Sequence, residues 1–318
     1  MKEVLIMGGT RFVGKRLVKL YLDNGYSVTI ASRRVIGNIE GLTQCTGERE
    51  GTIKMLRGLK FDLVIDFTAY NYSDVSKFFS NINCDQYILI SSSWVSQFES
   101  GDRVFDRNQL KYIHGKIDAE GFLSESVSKS TSITIMRFPI ILGLGDASGR
   151  LDYYASRLYQ KLPIILPNGG INKTKICYAD DAALLLLAIS NAPTSNSFQV
   201  FDGLPRDSIS VFNLVNIIGD SLNLVPKIIK IDLDKILYLA PEFLDGDPFY
   251  QETKYTDRSL NIFEMFEVQS RPYSEWIREC LLSYTPGHEK LKNPLKSYKW
   301  EQIKFRELER FLANANAH

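Results

Sequence analysis

The sequence predicts a doubly wound α/β fold, in which helices cover both faces of a mostly parallel sheet. Short β-branched strands alternate with helix-spaced apolar residues from residue 3 to about residue 140, which is the order that repeated βαβ units require. The segment 63–69 (LVIDFTA) is almost continuously apolar, as expected of a strand buried on both faces. Beyond residue 140 the alternation weakens, which indicates a smaller mixed α/β lobe at the C-terminal end.

The first fourteen residues predict a strand, a glycine turn and the start of a helix. An apolar run at 4–7 leads into a turn with three glycines, and apolar residues at helical spacing follow from 17 to 21. Glycines let a pyrophosphate approach the backbone, and the N-terminus of a helix attracts an anion. The pattern predicts a bound dinucleotide, and the alternative is a tight turn without a ligand. The residues predicted to bind it are Gly8, Gly9, Thr10, Arg11, Phe12, Val13 and Gly14.

The end of the second predicted strand, at 27–31, indicates which dinucleotide binds. Enzymes that select NAD usually place an acidic residue there for the ribose 2′-hydroxyl, whereas this chain has Ser32, Arg33 and Arg34. Because guanidinium groups bind phosphate through paired donors, we predict NADP as the cofactor, with NAD as the alternative. The other interpretation of the two arginines is a pair of solvated surface charges. Glu48, in a poorly patterned stretch, is a candidate to contact the adenine amino group.

Composition and charge narrow the class of protein. A net charge of +1 gives no sign of a nucleic-acid or membrane partner. The four cysteines and three histidines are scattered without metal-ligand spacing, so we predict no metal and a reducing compartment. The longest apolar stretch, 182–189, is far shorter than a membrane span. We therefore expect a soluble, cytoplasmic protein with a small-molecule substrate.

The segment 112–116 (YIHGK) carries the candidate chemistry. Tyr112 and Lys116 are four residues apart, so on a helix they share one face. A neighbouring ammonium is predicted to lower the pKa of the phenol, which would let Tyr112 exchange a proton near neutral pH. A cluster of three serines at 91–93 ends another predicted strand, at the edge where open α/β sheets bind ligands.

These motifs resemble one family in their order along the chain. The segments GGTRFVG, DLVIDFTAY, ILISSSWVS, YIHGK, MRFPIILGLGD and KICYADDA are similar to those of the extended short-chain dehydrogenase/reductases, the NAD-dependent epimerase/dehydratase group, over residues 1–270. Arg11 stands where that family usually has glycine, which is typical of its atypical GGTRFIG-type subgroup. The resemblance implies a Rossmann domain over residues 1–140, to which segments around 171–205 return. It also implies a substrate-binding lobe after residue 140. We expect residues 141–318 to form mainly this lobe and C-terminal helices, and the sequence itself predicts one of these helices at 300–312.

The resemblance also implies roles for individual residues. Ser92, or Ser93 if the register shifts by one, would hydrogen-bond the substrate oxygen, and Tyr112 would be the general acid/base. Lys116 would hold the nicotinamide ribose. Other residues expected beside the cofactor are Thr68, Ala69, Phe138 and Pro139. Family members often form homodimers through paired helices, and the helix beginning near Leu110 is the candidate.

The resemblance leaves the substrate open. Ser92-Ser93-Trp94 replaces the Thr-Asp-Glu of the dehydratases, which argues against a sugar 4,6-dehydratase. Ile140 replaces an asparagine that contacts the sugar diphosphate in nucleotide-sugar epimerases. We predict an NAD(P)-dependent oxidoreductase or epimerase acting on a hydroxyl or keto carbon of a sugar, a sugar nucleotide or a related intermediate. The alternative is a non-catalytic dinucleotide-binding protein with a regulatory or RNA-associated role. Asp180 or Asp181 is predicted to cap the helix that follows.

Overall fold

The computed structural model describes residues 2–101, 105–126, 130–193, 198–239 and 261–282. Within these ranges the chain divides into two compact units. The first contains residues 2–145, 176–206 and 261–270, and the second contains residues 146–175, 207–239 and 271–282. The predicted helix at 300–312 lies outside the described residues.

The first unit is built on a seven-stranded parallel sheet. In chain order, the strands of the described residues are β1 Glu3–Met7, β2 Ser27–Ser32, β3 Leu42–Thr46, β4 Lys60–Asp66, β5 Asn83–Ser92, β6 Ser132–Phe138, β7 Ile140–Leu142, β8 Ile164–Pro167, β9 Lys173–Thr174, β10 Ile176–Tyr178, β11 Phe198–Asp202, β12 Ile209–Ser210 and β13 Ile228–Ile231. The large sheet has the order β3-β2-β1-β4-β5-β6-β11. All its neighbouring strands are parallel, which confirms the predicted doubly wound fold.

Helices cover both faces of this sheet. In chain order, the described helices are α1 Phe12–Asp23, α2 Arg49–Met55, α3 Tyr72–Phe79, α4 Ser93–Ser100, α5 Arg107–Ser126, α6 Arg150–Tyr159, α7 Ala179–Asn191, α8 Val211–Leu222, α9 Leu233–Leu239, α10 Ile262–Met265 and α11 Tyr273–Leu281. Strand β1 shows how the layers form, because successive side chains point to opposite faces. Val4 and Ile6 pack in the core beneath α1 and α7, whereas Leu5 and Met7 pack in the core beneath α2, α3 and α5.

The second unit has a smaller mixed structure. Strands β8 and β13 pair in parallel, and β9 and β12 pair antiparallel. Helix α8 contacts both α6 and α11. Tyr153 and Tyr154 of α6 are buried, with their rings in edge contact at 5.0 Å, so both belong to the core of this unit.

No helix among the described residues is both long enough and apolar enough to span a lipid bilayer.

Candidate functional site

The candidate site lies where the strand order of the large sheet reverses. β1 lies between β2 and β4, so the loops after β1 and β4 leave the sheet in opposite directions. In open parallel sheets this point forms the crevice that binds ligands. The glycine turn follows β1, and a tight turn over residues 67–70 follows β4. Gly8 lies against this second turn, because a Cβ there would come within 3.0 Å of Thr68 Cγ2 and 3.1 Å of Phe67 Cβ.

The glycine turn, called the cradle below, lies at the start of α1 over residues 8–11. Gly8 has a φ of +97°, and a Cβ on Gly14 would lie 2.5 Å from the Gly8 carbonyl oxygen, so neither position tolerates a side chain. Arg11 precedes the helix and makes no side-chain cap, which leaves the first N–H groups of α1 available to a ligand. The residues present therefore fit the pyrophosphate of a dinucleotide. Thr10 and Phe12 are partly exposed, and Val13 is buried in the core.

The side chains predicted to select the cofactor lie at the C-terminal end of β2. Arg11, Arg33 and Arg34 are exposed, and no salt bridge to any of them is found within the described part of the chain. The Ser32 hydroxyl donates to the Arg34 carbonyl at 2.7 Å, which fixes the turn that carries the two arginines. Glu48 is exposed and precedes α2 without a side-chain cap.

Ser92, Tyr112 and Lys116 come together in the structure. Ser92 ends β5 and caps α4, where its Oγ accepts from Trp94 N at 3.2 Å. Its hydroxyl is also hydrogen-bonded to Tyr112. Lys116 Nζ lies 5.8 Å from the centre of the Tyr112 ring and donates to the carbonyls of Ala69 and Ile90 at 2.7 Å each. Ser93, the other candidate, is buried in the first turn of α4.

The prediction that Lys116 lowers the pKa of Tyr112 is wrong. Burial raises the pKa of Tyr112 to about 12, assisted by neighbouring Tyr70 and opposed by the hydrogen bond from Ser92. Burial also lowers the pKa of Lys116 to about 8. The helical spacing predicts the contact correctly, but the cost of burying a charge outweighs it. At neutral pH this tyrosine is therefore protonated, and the lysine is mainly an ammonium.

A buried ion pair, which the sequence reasoning missed, lies below the turn after β4. Asp66 has no exposed surface and accepts from Arg49 through both guanidinium Nη atoms, at 2.9 and 2.7 Å. Its oxygens also accept from Tyr87 Oη at 2.7 Å and from the backbone N–H groups of Thr68 and Ala69 at 2.8 and 3.0 Å. Burial alone would raise the pKa of this carboxyl, but the guanidinium and these hydrogen bonds hold it below its usual value. The position of Asp66 inside the apolar strand β4 could have indicated this ion pair, because a buried charge needs a partner.

A second charged group holds helix α5 one turn beyond Lys116, on the same face of the helix. Glu120, one turn after Lys116, accepts from Arg137 Nη2 at 2.6 Å and from Ser91 Oγ at 2.5 Å. Arg137 also forms a two-pronged pair with Glu99, at 2.7 and 3.0 Å. These contacts join α5 to the ends of β5 and β6. The next two residues, Phe138 and Pro139, are buried, and a Cβ on Gly203 would come within 2.5 Å of the Phe138 ring.

Two further predictions can be compared with the structure. Tyr178, not either aspartate, is the residue that precedes α7, so the predicted capping role is wrong. Asp180 lies in the first turn and pairs with Arg16 of α1 at 2.9 Å; an acid favours that helix end through the helix dipole. His114 is exposed on α5, with its ring 5.2 Å from that of Phe98, on a different face from Tyr112.

One family model matches the N-terminal part of the chain. Residues 4–113, which contain β1 to β5, the glycine turn, Ser92 and Tyr112, match the model of the NAD dependent epimerase/dehydratase family. Over these residues the chain is similar to that family.

Particular proteins resemble it over longer stretches. The chloroplast stem-loop binding protein of 41 kDa b from Arabidopsis thaliana is 26% identical over 242 residues, which are 64% of this chain and 62% of that protein. The match thus spans less than two thirds of the relative. The enzyme WbmH of Bordetella bronchiseptica, solved in complex with NAD+, superposes with a TM-score of 0.66 at 14% identity, covering 89% of this chain and 99% of that one. The UDP-N-acetylglucosamine 4-epimerase of Bacillus cereus superposes with a TM-score of 0.62 at 15% identity, covering 88% and 98%. These structural likenesses show a shared fold.

Proposed function

We propose that the protein is an NAD(P)-dependent oxidoreductase or epimerase that acts on a hydroxyl or keto carbon of a sugar or sugar nucleotide. The observation that carries this proposal is the meeting of Ser92, Tyr112 and Lys116 at the ligand-binding edge of the sheet. A structurally similar protein is named as a UDP-N-acetylglucosamine 4-epimerase, which supports a sugar nucleotide as the first substrate class to test.

The proposed chemistry divides between the cofactor and the protein. When bound, the nicotinamide supplies or accepts the hydride. Tyr112, with a pKa raised to about 12 by burial, holds a proton at neutral pH and can donate it to a substrate oxygen as a carbonyl is reduced. Ser92 would hydrogen-bond the same oxygen. Lys116 would hold the nicotinamide ribose, and its positive charge favours the phenolate that forms when the proton leaves.

We further propose a preference for NADP. Arg33 and Arg34 directly follow β2, Arg11 directly precedes α1, and all three are exposed. The resemblance puts the adenosine ribose at the end of β2, where a 2′-phosphate would attract guanidinium groups. The solved relative from Bordetella bronchiseptica was in complex with NAD+, so NAD is the competing cofactor. Glu48, exposed beside α2, would contact the adenine. Thr68, Ala69, Phe138 and Pro139 would line the remainder of the cofactor site.

Turnover of a substrate panel tests the proposed reaction. The purified protein is incubated with NADP+ or NAD+ and UDP-sugars, and with NADPH and keto-sugars, and products are followed by NMR. We expect conversion of at least one sugar and a loss of about 10²- to 10⁴-fold on Tyr112→Phe. Tyr72→Phe is the matched control, because Tyr72 is an exposed tyrosine on α3. Full activity of Tyr112→Phe would refute the assigned mechanism.

A second candidate function is RNA binding. It is favoured by the name of the Arabidopsis relative, a stem-loop binding protein, although the net charge of this chain is only +1. The exposed arginines proposed to bind the 2′-phosphate could equally contact RNA phosphates. Titration of a labelled stem-loop RNA at increasing salt, with and without NADPH, separates the two. Retention of RNA at high salt, with no sugar turnover, would favour this candidate.

Self-association through α5 and a cytoplasmic location remain predictions. Sedimentation velocity of the purified protein tests the first, and fractionation of the producing cells tests the second.

A further inference from the structure

The turn after β4 is held from two sides at a single residue. The N–H of Ala69 donates to Asp66 Oδ1 at 3.0 Å, and the carbonyl of the same residue accepts from Lys116 Nζ at 2.7 Å. The two peptide groups that flank Ala69 thus connect the Asp66 carboxylate with the Lys116 ammonium. Asp66 and Lys116 carry opposite charges and are both almost fully buried.

Arg49 clamps the other side of the turn. Its Nη1 donates to Asp66 Oδ1 at 2.9 Å and to Thr68 Oγ1 at 2.7 Å. Its Nη2 donates to Asp66 Oδ2 at 2.7 Å and to the Asp74 carbonyl at 3.0 Å. One guanidinium thus ties β4, the turn and the first turn of α3 together. Lysine cannot reproduce these contacts, because it lacks the planar fork of donors.

Helix α5 lies directly against this turn. A Cβ on Gly115, the residue before Lys116, would lie 2.5 Å from the Tyr70 carbonyl oxygen. The Tyr70 ring in turn lies 4.8 Å from Lys116 Nζ. The contact is closer than any residue with a side chain at 115 would permit, so the position of the turn and that of the lysine are mechanically linked.

We infer that Arg49 and Asp66 are positioning residues for Lys116: their ion pair fixes the turn over residues 67–70, and the Ala69 carbonyl holds the ammonium in the cofactor site. Neither residue reaches the reacting atoms. The inference rests on the proposed function only in assigning Lys116 to the cofactor, and it extends that function to the residues that keep the lysine in place. The ionisable groups that act on or face Lys116 are Asp66, Glu120, Arg49, Asp74, Tyr70 and Tyr112.

Chemical labelling of lysines tests the inference without any cofactor. The protein is treated briefly with acetic anhydride, and peptide mass spectrometry gives the rate at Lys116 relative to Lys111, an exposed lysine on the same helix. We expect Arg49→Met to raise this ratio about tenfold, the equivalent of one charge-assisted hydrogen bond, and Arg49→Lys to raise it less. An unchanged ratio in Arg49→Met would overturn the inference.

A stability control separates positioning from general loosening. Tyr21 is fully buried and hydrogen-bonded to Ser190 at 2.7 Å, in the same unit but away from the turn. Tyr21→Phe removes this bond, and we expect the ratio between Lys116 and Lys111 to stay at its wild-type value. If Tyr21→Phe raises the ratio as much as Arg49→Met does, the effect is loss of stability and the inference is wrong.

Binding of NADPH then distinguishes this inference from the proposed function. We expect Arg49→Met to lower the affinity for NADPH about tenfold in the wild-type background. In a Lys116→Met background it should lower the affinity little further, because both changes act through one lysine. Additive losses would overturn the inference and leave the cofactor assignment standing. Wild-type affinity in Lys116→Met alone would refute the assignment of Lys116 to the cofactor, while the labelling ratio still decides whether Arg49 positions the lysine.

Discussion

Replacing Lys116 with methionine should stabilise the protein at neutral pH and weaken the binding of the cofactor. Its side chain is buried, and burial lowers its pKa from 10.5 to about 8. The folded protein therefore holds a protonated amine at a cost that the unfolded chain does not bear. Methionine has a similar length and no charge, so it removes that cost.

The magnitude follows from the two pKa values. A difference of 2.5 units, from 10.5 to about 8, corresponds to about 3 kcal/mol at pH 7. The sign is that of a base whose pKa is lowered on folding: the penalty is full below pH 8 and disappears as pH rises towards 10.5. At pH 10 about 1 kcal/mol remains. The carbonyls of Ala69 and Ile90 lose a donor in the variant, at about 1 kcal/mol each.

Urea unfolding at two pH values measures this directly. We expect Lys116→Met to be about 1 kcal/mol more stable than wild type at pH 7 and about 1 kcal/mol less stable at pH 10. The stability of the variant relative to wild type should therefore change by about 2 to 3 kcal/mol between pH 7 and pH 10. This change is the firmer quantity, because the lost hydrogen bonds contribute equally at both pH values. Lys111→Met, which changes an exposed lysine on the same helix, is the control and should show no such dependence. A stability difference that does not change with pH would refute the reasoning.

Three further predictions concern the cradle, the ion pair and cofactor choice. Gly14→Ala places a methyl group 2.5 Å from the Gly8 carbonyl oxygen. We expect it to lower the free energy of unfolding, measured in urea, by about 1–3 kcal/mol and to abolish NADPH binding in a fluorescence titration. Asp66→Asn breaks a buried pair and should cost about 3–5 kcal/mol. Because the pKa of Asp66 is lowered on folding from 3.8, this deficit should be full above about pH 5 and narrow as acid protonates the wild-type carboxyl; a deficit independent of pH between 3 and 7 would contradict the ion pair. The double change Arg33→Ala and Arg34→Ala should lower the affinity for NADPH about tenfold and leave the affinity for NADH unchanged. Equal losses of affinity for NADPH and NADH would argue against selection by the 2′-phosphate.

The sequence predicts those elements of the fold that have a recognisable local spacing of residues. Strands β1, β4 and β5 are apolar runs, and Tyr112 and Lys116 share a helix face because of their spacing. The stretch 42–55 lacked such a pattern for physical reasons. β3 is an edge strand of half-exposed residues, and α2 buries only Thr52 and Ile53 of its seven residues, so neither has an apolar stripe to detect.

The missed features of the site depend on contacts between distant residues. Arg49 and Asp66 are separated by seventeen positions, and nothing local connects them. The pKa of Tyr112 was predicted with the wrong sign because its burial comes from packing with Tyr70 and Trp94, whose rings lie 6.3 and 5.9 Å away. The spacing of residues along the helix shows which side chains meet. The burial that determines their pKa values arises only from packing in the folded chain.

A crystal structure of the protein with NADPH would show directly whether the dinucleotide binds beside Ser92, Tyr112 and Lys116. We expect electron density for the pyrophosphate on the backbone of residues 8–14, for the nicotinamide ribose within hydrogen-bonding distance of Lys116, and for the nicotinamide ring beside the Tyr112 hydroxyl. Density for the dinucleotide at another place, or none from crystals soaked at a saturating concentration, would contradict it.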